Sequence, residues 1–419
     1  MNKIPSKEIL NKLNVFSLLG VAFLIPFNSD LNRYLLGIFL VSTFILYFNS
    51  LRSLKLKEYK GLIALSFLLI FYAISFIYSH NLKLAWIDFE KKLPLILLPL
   101  ALVVISPGEK KTRRLYRAFL AGVLTVTLVC LVFFIFRTFS DAHFQRVLVN
   151  HPFYQMYSKF YFFGNTNYYA VYLIMSVILL TGMLWKNSPP GKERGMKWFM
   201  YLSLALFIAL TLIISSRSGI VSLAVVLVFS VFYLVKNRYF RLVSLGLLIV
   251  LGLYITTNYR FSNYIRVLGS MIHSPQKISD NELLENSALR LIFWKASADI
   301  IGENVWFGIG TGDVKSQMKS KYKEMGVYEQ LHENDDPHNQ FLRTFVATGL
   351  PGFLALMGVF AFAFTRGIQS RDYLLIAFLI LMLIHFLFKS MLFREDGVVF
   401  FSFFYGLFYV ISFPETRKF

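Results

Sequence analysis

Three basic side chains far apart in the sequence, Arg217, Arg290 and His338, have the chemistry to receive an anion and to work beside it. A guanidinium presents a planar fork of fixed donors that matches phosphate oxygens two at a time. An imidazole titrates close to neutrality and can take a proton from a hydroxyl as a bond forms. Gathered on one face, the three would suit displacement of a lipid diphosphate by a hydroxyl, because fixed donors can meet the negative charge that develops on the leaving oxygens. Arg217 stands in the tight turn Ser215-Ser216-Arg217-Ser218-Gly219 between two apolar runs, where a charge is costly unless it snorkels or meets an anion. Arg290, Trp294 and Ser297 follow one another at helical spacing, which sets a guanidinium beside an indole. Contact with lipid headgroups would equally account for either arginine.

His338 closes the run His332-Glu333-Asn334-Asp335-Asp336-Pro337-His338-Asn339. Two histidines and three acids could also bind a divalent cation. For His338 to act as a neutral base, Asp335 and Asp336 must point away or be solvated, because a close carboxylate favours imidazolium. Nucleophilic or purely orienting roles for His338 stay open. Upstream, Trp306-Phe307-Gly308-Ile309-Gly310-Thr311-Gly312 has the glycine spacing of a dinucleotide loop without its strand-and-helix context, so it is read as a tight glycine turn. The single cysteine, Cys130, excludes an internal disulfide and a multi-cysteine zinc site.

The elements that must position these residues are dictated by composition. The chain has 419 residues, 56% hydrophobic and only 16% charged, with a mean hydropathy of +0.58. Soluble domains carry about 25% charged residues, so a large soluble enzyme and a disordered chain are both excluded. Backbone polar groups in lipid must be satisfied within a helix or a closed barrel. The alternating strands of a barrel are absent, which leaves an all-α polytopic membrane protein. At about 20 residues per crossing, twelve spans are expected, near 13–27, 33–49, 61–78, 90–106, 115–136, 167–185, 197–214, 218–235, 242–257, 339–365, 372–388 and 397–413. The first run follows Lys3, Lys7 and Lys12 like a signal peptide, but lacks a small-residue cleavage site and is read as a retained anchor. The chain thus divides into nine helices over 1–257, a long outer loop over 258–337 and three helices over 338–419.

Orientation follows from the basic residues. With the N-terminus inside, the inner segments hold 23 of the 43 lysines and arginines and the short outer connections only 10. This bias predicts cytoplasmic termini and an outer long loop. It also accounts for most of the +20 charge as a topology signal and leaves no case for nucleic-acid binding. The loop carries 11 of the 23 acids and is too short for a robust core of its own, so it is expected to pack on the outer mouths of the spans. Within it Leu289, Ile292, Phe293, Ala296 and Ile300 form the apolar face of an amphipathic helix. Arg217, Arg290 and His338 then share the outer side.

The motifs around these residues resemble the O-antigen ligase family. The resemblance rests on His338-Asn339-Gln340-Phe341-Leu342, Gly349-Leu350-Pro351-Gly352, Arg290-Leu291-Ile292-Phe293-Trp294-Lys295-Ala296, Phe307-Gly308-Ile309-Gly310-Thr311-Gly312, Gly164-Asn165-Thr166-Asn167 and the Arg217 turn. They fall in order over roughly 160–365. The resemblance implies a twelve-helix glycosyltransferase of the bacterial inner membrane, without cofactor or metal, acting in lipopolysaccharide biosynthesis. It would move a glycan from undecaprenyl diphosphate to a sugar hydroxyl of lipid A core, with the long loop in the periplasm. Arg217 and Arg290 would hold the diphosphate and His338 would serve the acceptor. Asn339, Trp294 and Lys92 complete the candidate substrate-binding residues.

Related members polymerise O-antigen repeats or glycosylate proteins, and sequence separates these poorly. A transporter of lipid-linked sugars is the rival of another class. It gains from the number of spans and loses from their interiors, where His385 is the one ionisable candidate.

Overall fold

The computed structural model describes residues 7–52, 59–140, 160–186, 194–214, 217–257, 286–326 and 336–412. These residues are helical and contain no strand. Six helices come first: α1 (Lys7–Leu24), α2 (Asp30–Arg52), α3 (Lys60–Ile77), α4 (Leu82–Lys92), α5 (Pro94–Ile105) and α6 (Glu109–Ser140). Then follow α7 (Thr166–Lys186), α8 (Arg194–Ile214), α9 (Arg217–Leu234) and α10 (Arg238–Thr257). The segment expected as the outer loop contributes α11 (Asn286–Glu303) and α12 (Val314–Glu324). The last elements are α13 (Gln340–Ser370), α14 (Tyr373–Phe388) and α15 (Glu395–Ile411).

All twelve apolar runs lie on helices, of which a smaller number has the length and hydropathy of a membrane span. Among the described residues, seven helices are long and apolar enough to cross a membrane: α1, α2, α3, α6, α7, α8 and α13. The runs expected as spans at 90–106, 218–235, 242–257, 372–388 and 397–413 form α5, α9, α10, α14 and α15, outside that set. Length explains much of the difference. The 12 residues of α5 and the 16 of α14 rise about 1.5 Å each, short of a hydrocarbon core of about 30 Å.

Some of the shorter helices are buried by their neighbours instead. Every residue of α15 from Gly397 to Val410 is buried, as befits a helix apolar on all sides. Phe400, Phe404 and Phe408 stack down one face, and Phe119 of α6 meets Phe404 edge-on at 4.8 Å between centroids. Tyr168, Tyr169 and Tyr172 of α7 are buried in the same core.

The long helix α13 is broken at Gly349, whose φ of 68° and ψ of −167° lie in a region open essentially to glycine alone. The break frees two carbonyls. Leu350 N–H turns away to donate to Val305 O at 2.8 Å, and Pro351 has no N–H to offer Ala347. Ile309 N–H then donates to Val346 O at 2.9 Å and Gly310 N–H to Ala347 O at 3.1 Å. The glycine turn therefore restores the bonds that the break removed, as buried backbone groups require. Gly308 takes φ +67° at this contact, where a Cβ would lie 2.5 Å from Val346 O.

Two further bonds lock the segment to the α3–α4 corner. Asp313 accepts from His80 N–H at 2.6 Å and from Asn81 N–H at 3.1 Å. On α11, Ile292, Phe293, Ala296 and Ile300 are buried, which is the expected apolar face, and the helix packs on α13. The Leu289 side chain lies outside the described residues.

Gly349→Ala should sharply reduce folded protein, read as the monodisperse peak of a detergent-solubilised fluorescent fusion. Both the backbone region and the contact with Trp306 O forbid a side chain there. Gly302→Ala, where a Cβ meets nothing within 4 Å inside α11, should be neutral or slightly stabilising. Equal behaviour of the two variants would show that the break is not what holds the segment.

Candidate functional site at one end of the helix bundle

Sidedness within the bundle follows from two hydrogen bonds. Ser230 meets Tyr373 at 2.7 Å and Ser222 meets His385 at 3.0 Å, so α9 and α14 run antiparallel. The start of α9, at Arg217, therefore lies beside the end of α14, at Phe388 and Lys389. The Arg217 side chain itself lies outside the described residues. The Ser222 hydroxyl also lies 2.6 Å from Ser218 O. His385 is a brace between two helices.

His338 sits on the turn that enters α13. Its φ of +49° is uncommon for a residue with a side chain, and such strain gathers at functional sites. Asp336 holds the turn by accepting from His338 N–H at 3.2 Å, and Asn339 then caps the helix by accepting from Phe341 and Leu342 N–H at 2.9 and 3.1 Å. The helix thus starts at Gln340.

The imidazole is placed from three sides. Phe293 of α11 packs against it at 5.4 Å between centroids. Lys389 Nζ lies 3.3 Å from its Nδ1, and Asp336 Oδ2 lies 3.6 Å from the same nitrogen. Nε2 has no protein partner among the described residues. Burial, with the charges of Lys389, Arg290 and Arg343 against that of Asp336, pushes the His338 pKa down to about 4. At neutral pH the ring is therefore uncharged, as base chemistry needs. The Lys389 pKa is also lowered, by burial first and then by Arg290 and Arg394 against Asp336.

Arg290 closes one side, with Cζ 5.5 Å from the Phe388 ring centroid, one residue from Lys389. Its neighbour Trp294 is partly buried in the core cluster, and its indole N–H has no partner among the described residues. Ser297 is fully buried and donates to Phe293 O at 2.7 Å, so it belongs to the helix rather than to a ligand surface.

Behind the ring lies Arg343, 4% exposed, which donates to Asp336 Oδ1 at 2.7 Å and stacks 3.7 Å over Phe393. Asp336 therefore does not point away from His338 as expected: its other oxygen stays 3.6 Å from Nδ1 while Arg343 takes the first. Deeper still, Lys92 pairs with Asp88 and stands 4.4 Å over Tyr72, and Thr311 also donates to Asp88. Gln340 reaches Tyr72 through Thr344, with two bonds of 3.0 Å, and accepts directly from Leu392 N–H at 2.7 Å. Lys92 and Asn339 are thus occupied by internal partners, whereas His338 and Arg290 come together with Lys389.

Arg343 and Lys389 were not singled out in the sequence. Lys389 stood only among the basic residues of outer connections, and the position of Arg343 one turn and a half beyond His338 was the one available signal. The acids Glu333 and Asp335, with His332, lie outside the described residues, and no group of three or more metal-ligating side chains occurs among the described ones. Residues 202–357 match the family model of the O-antigen ligase domain. No curated protein matches the chain.

Removing the ammonium should raise the His338 pKa from about 4 towards its ordinary value, because Lys389 is the largest charge holding it down. Histidine titration by NMR in Lys389→Met checks this, and an unchanged or lower value would contradict the geometry. Arg343→Met leaves Asp336 unpaired in a poorly solvated place and should destabilise the protein by about 3–5 kcal/mol. Thermal unfolding in detergent reads this loss, which the double variant Arg343→Met with Asp336→Asn should partly recover.

Proposed function

We propose that this chain, a member of the O-antigen ligase family by its residues 202–357, transfers a glycan from undecaprenyl diphosphate to a sugar hydroxyl of lipid A core at the periplasmic side of the bacterial inner membrane. Family membership gives lipid-linked glycans as substrates, and the apolar helices give a membrane protein. The observation that carries the reading is the uncharged His338 ring beside Lys389 and near Arg290, at the end of the bundle where α9 also begins.

In this reading Arg217 and Arg290 hold the diphosphate. The acceptor oxygen attacks the anomeric carbon, the bond from that carbon to the diphosphate breaks, and the electron pair leaves with the phosphate oxygens. His338 takes the hydroxyl proton, and the guanidinium donors meet the charge on the leaving group. No metal enters the reaction. The guanidinium donors of Arg217 and Arg290 supply the charge that a divalent ion would bring.

Loss of a general base costs about 10²–10⁴-fold in rate. His338→Ala should lose transfer by that order while keeping expression and undecaprenyl diphosphate binding, whereas His332→Ala should be mild. Parental transfer by His338→Ala, assayed with purified donor and lipid A core, would remove the base. Arg217→Lys and Arg290→Lys keep charge but lose the planar fork, and each should impair transfer substantially in folded protein. Abolition of activity by a chelator, with recovery on adding Mg²⁺, would instead favour a metal at Glu333, Asp335 and Asp336. Transfer to a lipid-linked repeat in place of lipid A core would identify a polymerase.

A further inference from the structure

The Nδ1 atom of His338 faces two groups that make opposite demands on it. An ammonium can only donate, so Lys389 at 3.3 Å requires a bare Nδ1 and places the ring proton on Nε2. A carboxylate can only accept, so Asp336 Oδ2 at 3.6 Å favours a proton on Nδ1 and leaves Nε2 bare. In the structure Lys389 is the nearer. The ring then presents an N–H outward, and in that tautomer Nε2 cannot take a proton from a hydroxyl.

Lys389 is held by little else. Among the described residues its hydrogen-bond partner is this imidazole, and no carboxylate lies within ion-pair distance. The charges of Arg290 and Arg394 bear on it as well and add repulsion. Asp336, by contrast, is anchored by Arg343 at 2.7 Å and by His338 N–H at 3.2 Å, and stays where it is if the lysine moves. Binding a diphosphate beside Arg290 would offer the ammonium a far better partner than a neutral ring nitrogen.

We infer that Lys389 is a substrate-operated switch on His338: it caps Nδ1 in the resting site, moves to the donor diphosphate when that binds, and so hands Nδ1 to Asp336 and exposes Nε2 as the base. The inference rests on the proposed diphosphate donor. The tautomer change conserves protons, since the ring loses one from Nε2 and gains one at Nδ1 by exchange with water. The lysine stays protonated throughout. Coupling of this kind makes the base competent only when the donor is in place, which guards against idle deprotonation of the acceptor. Lys389 is thus a positioning residue as well as a third cation for the leaving group.

The test uses the full-length protein in nanodiscs with ¹⁵N-labelled histidine, the His338 signal being assigned by its absence in His338→Gln. The apo protein should show the proton on Nε2, and saturation with undecaprenyl diphosphate should move it to Nδ1. Lys389→Met should show the Nδ1 tautomer with and without ligand, and should bind undecaprenyl diphosphate about tenfold more weakly in calorimetry. A merely structural lysine would leave the ligand-dependent change intact in that variant. An Nδ1 proton already present in the apo wild type would overturn the switch. Bound undecaprenyl diphosphate with no tautomer change would overturn the switch alone, whereas no binding to the wild type would overturn the donor assignment and the switch with it. The wild-type measurements decide the matter even if Lys389→Met fails to fold.

Discussion

Two carbonyl oxygens that α13 cannot satisfy by itself organise the site. Gly349 turns the chain out of the helical region and Pro351 lacks a donor, so Val346 O and Ala347 O need partners from elsewhere. Unpaired backbone groups in a region without water cost several kcal/mol each, and the glycine turn at 308–310 supplies the partners. Docking of that turn fixes the end of α11, whose buried face then sets Phe293 against His338 and leaves Arg290 over Phe388. A helix break in one element is in this way converted into the position of a guanidinium on another.

Electrostatics at the same end is set, among the described residues, by three cations and one carboxylate. Arg290, Arg343 and Lys389 act on His338, and Asp336, which pairs with Arg343, acts against them. Like charges in a desolvated place repel, so each of the three cations disfavours a charged ring. The same imbalance keeps the imidazole neutral. One set of charges therefore does two things, attracting a negatively charged group and preserving the ring as a proton acceptor in its presence. A negatively charged group placed there would relieve the repulsion and raise the imidazole's affinity for a proton.

Much of the fold could be read from the sequence because hydropathy and helical spacing are local. The apolar runs lie on helices, the apolar face of α11 is the one its spacing gives, and the glycine run is a turn. The number of crossings was less legible. An apolar run looks alike whether lipid or protein covers it, and α15 is covered by protein along its length. Within the site, His338 and Arg290 were found by residue type. Lys389 and Arg343 were not, since their meaning comes from distances of 3.3 and 2.7 Å to residues 51 and 7 positions away. Lys92 and Asn339 were candidates for binding substrate, and the structure pairs Lys92 with Asp88 and the Asn339 oxygen with helix N–H groups, partners that a composition cannot reveal.

The placement of buried charge bears on what kind of protein this is. Among the described residues the buried charged or imidazole side chains are Asp88, Lys92, Asp313, Arg343 and His385. The first four lie at the His338 end, each with a partner: Asp88 with Lys92, Asp313 with two backbone N–H groups, and Arg343 with Asp336. His385, one turn inward from Lys389, bonds to Ser222 and ties α14 to the beginning of α9. A carrier must present polar groups along a path through the membrane. Among the described residues the buried charges, His385 apart, are concentrated at a single mouth, where they steady the groups around one imidazole. Charges bought into the interior at that cost are worth keeping when they preorganise a reaction, because a site already aligned with the developing charge need not rearrange as the bond breaks.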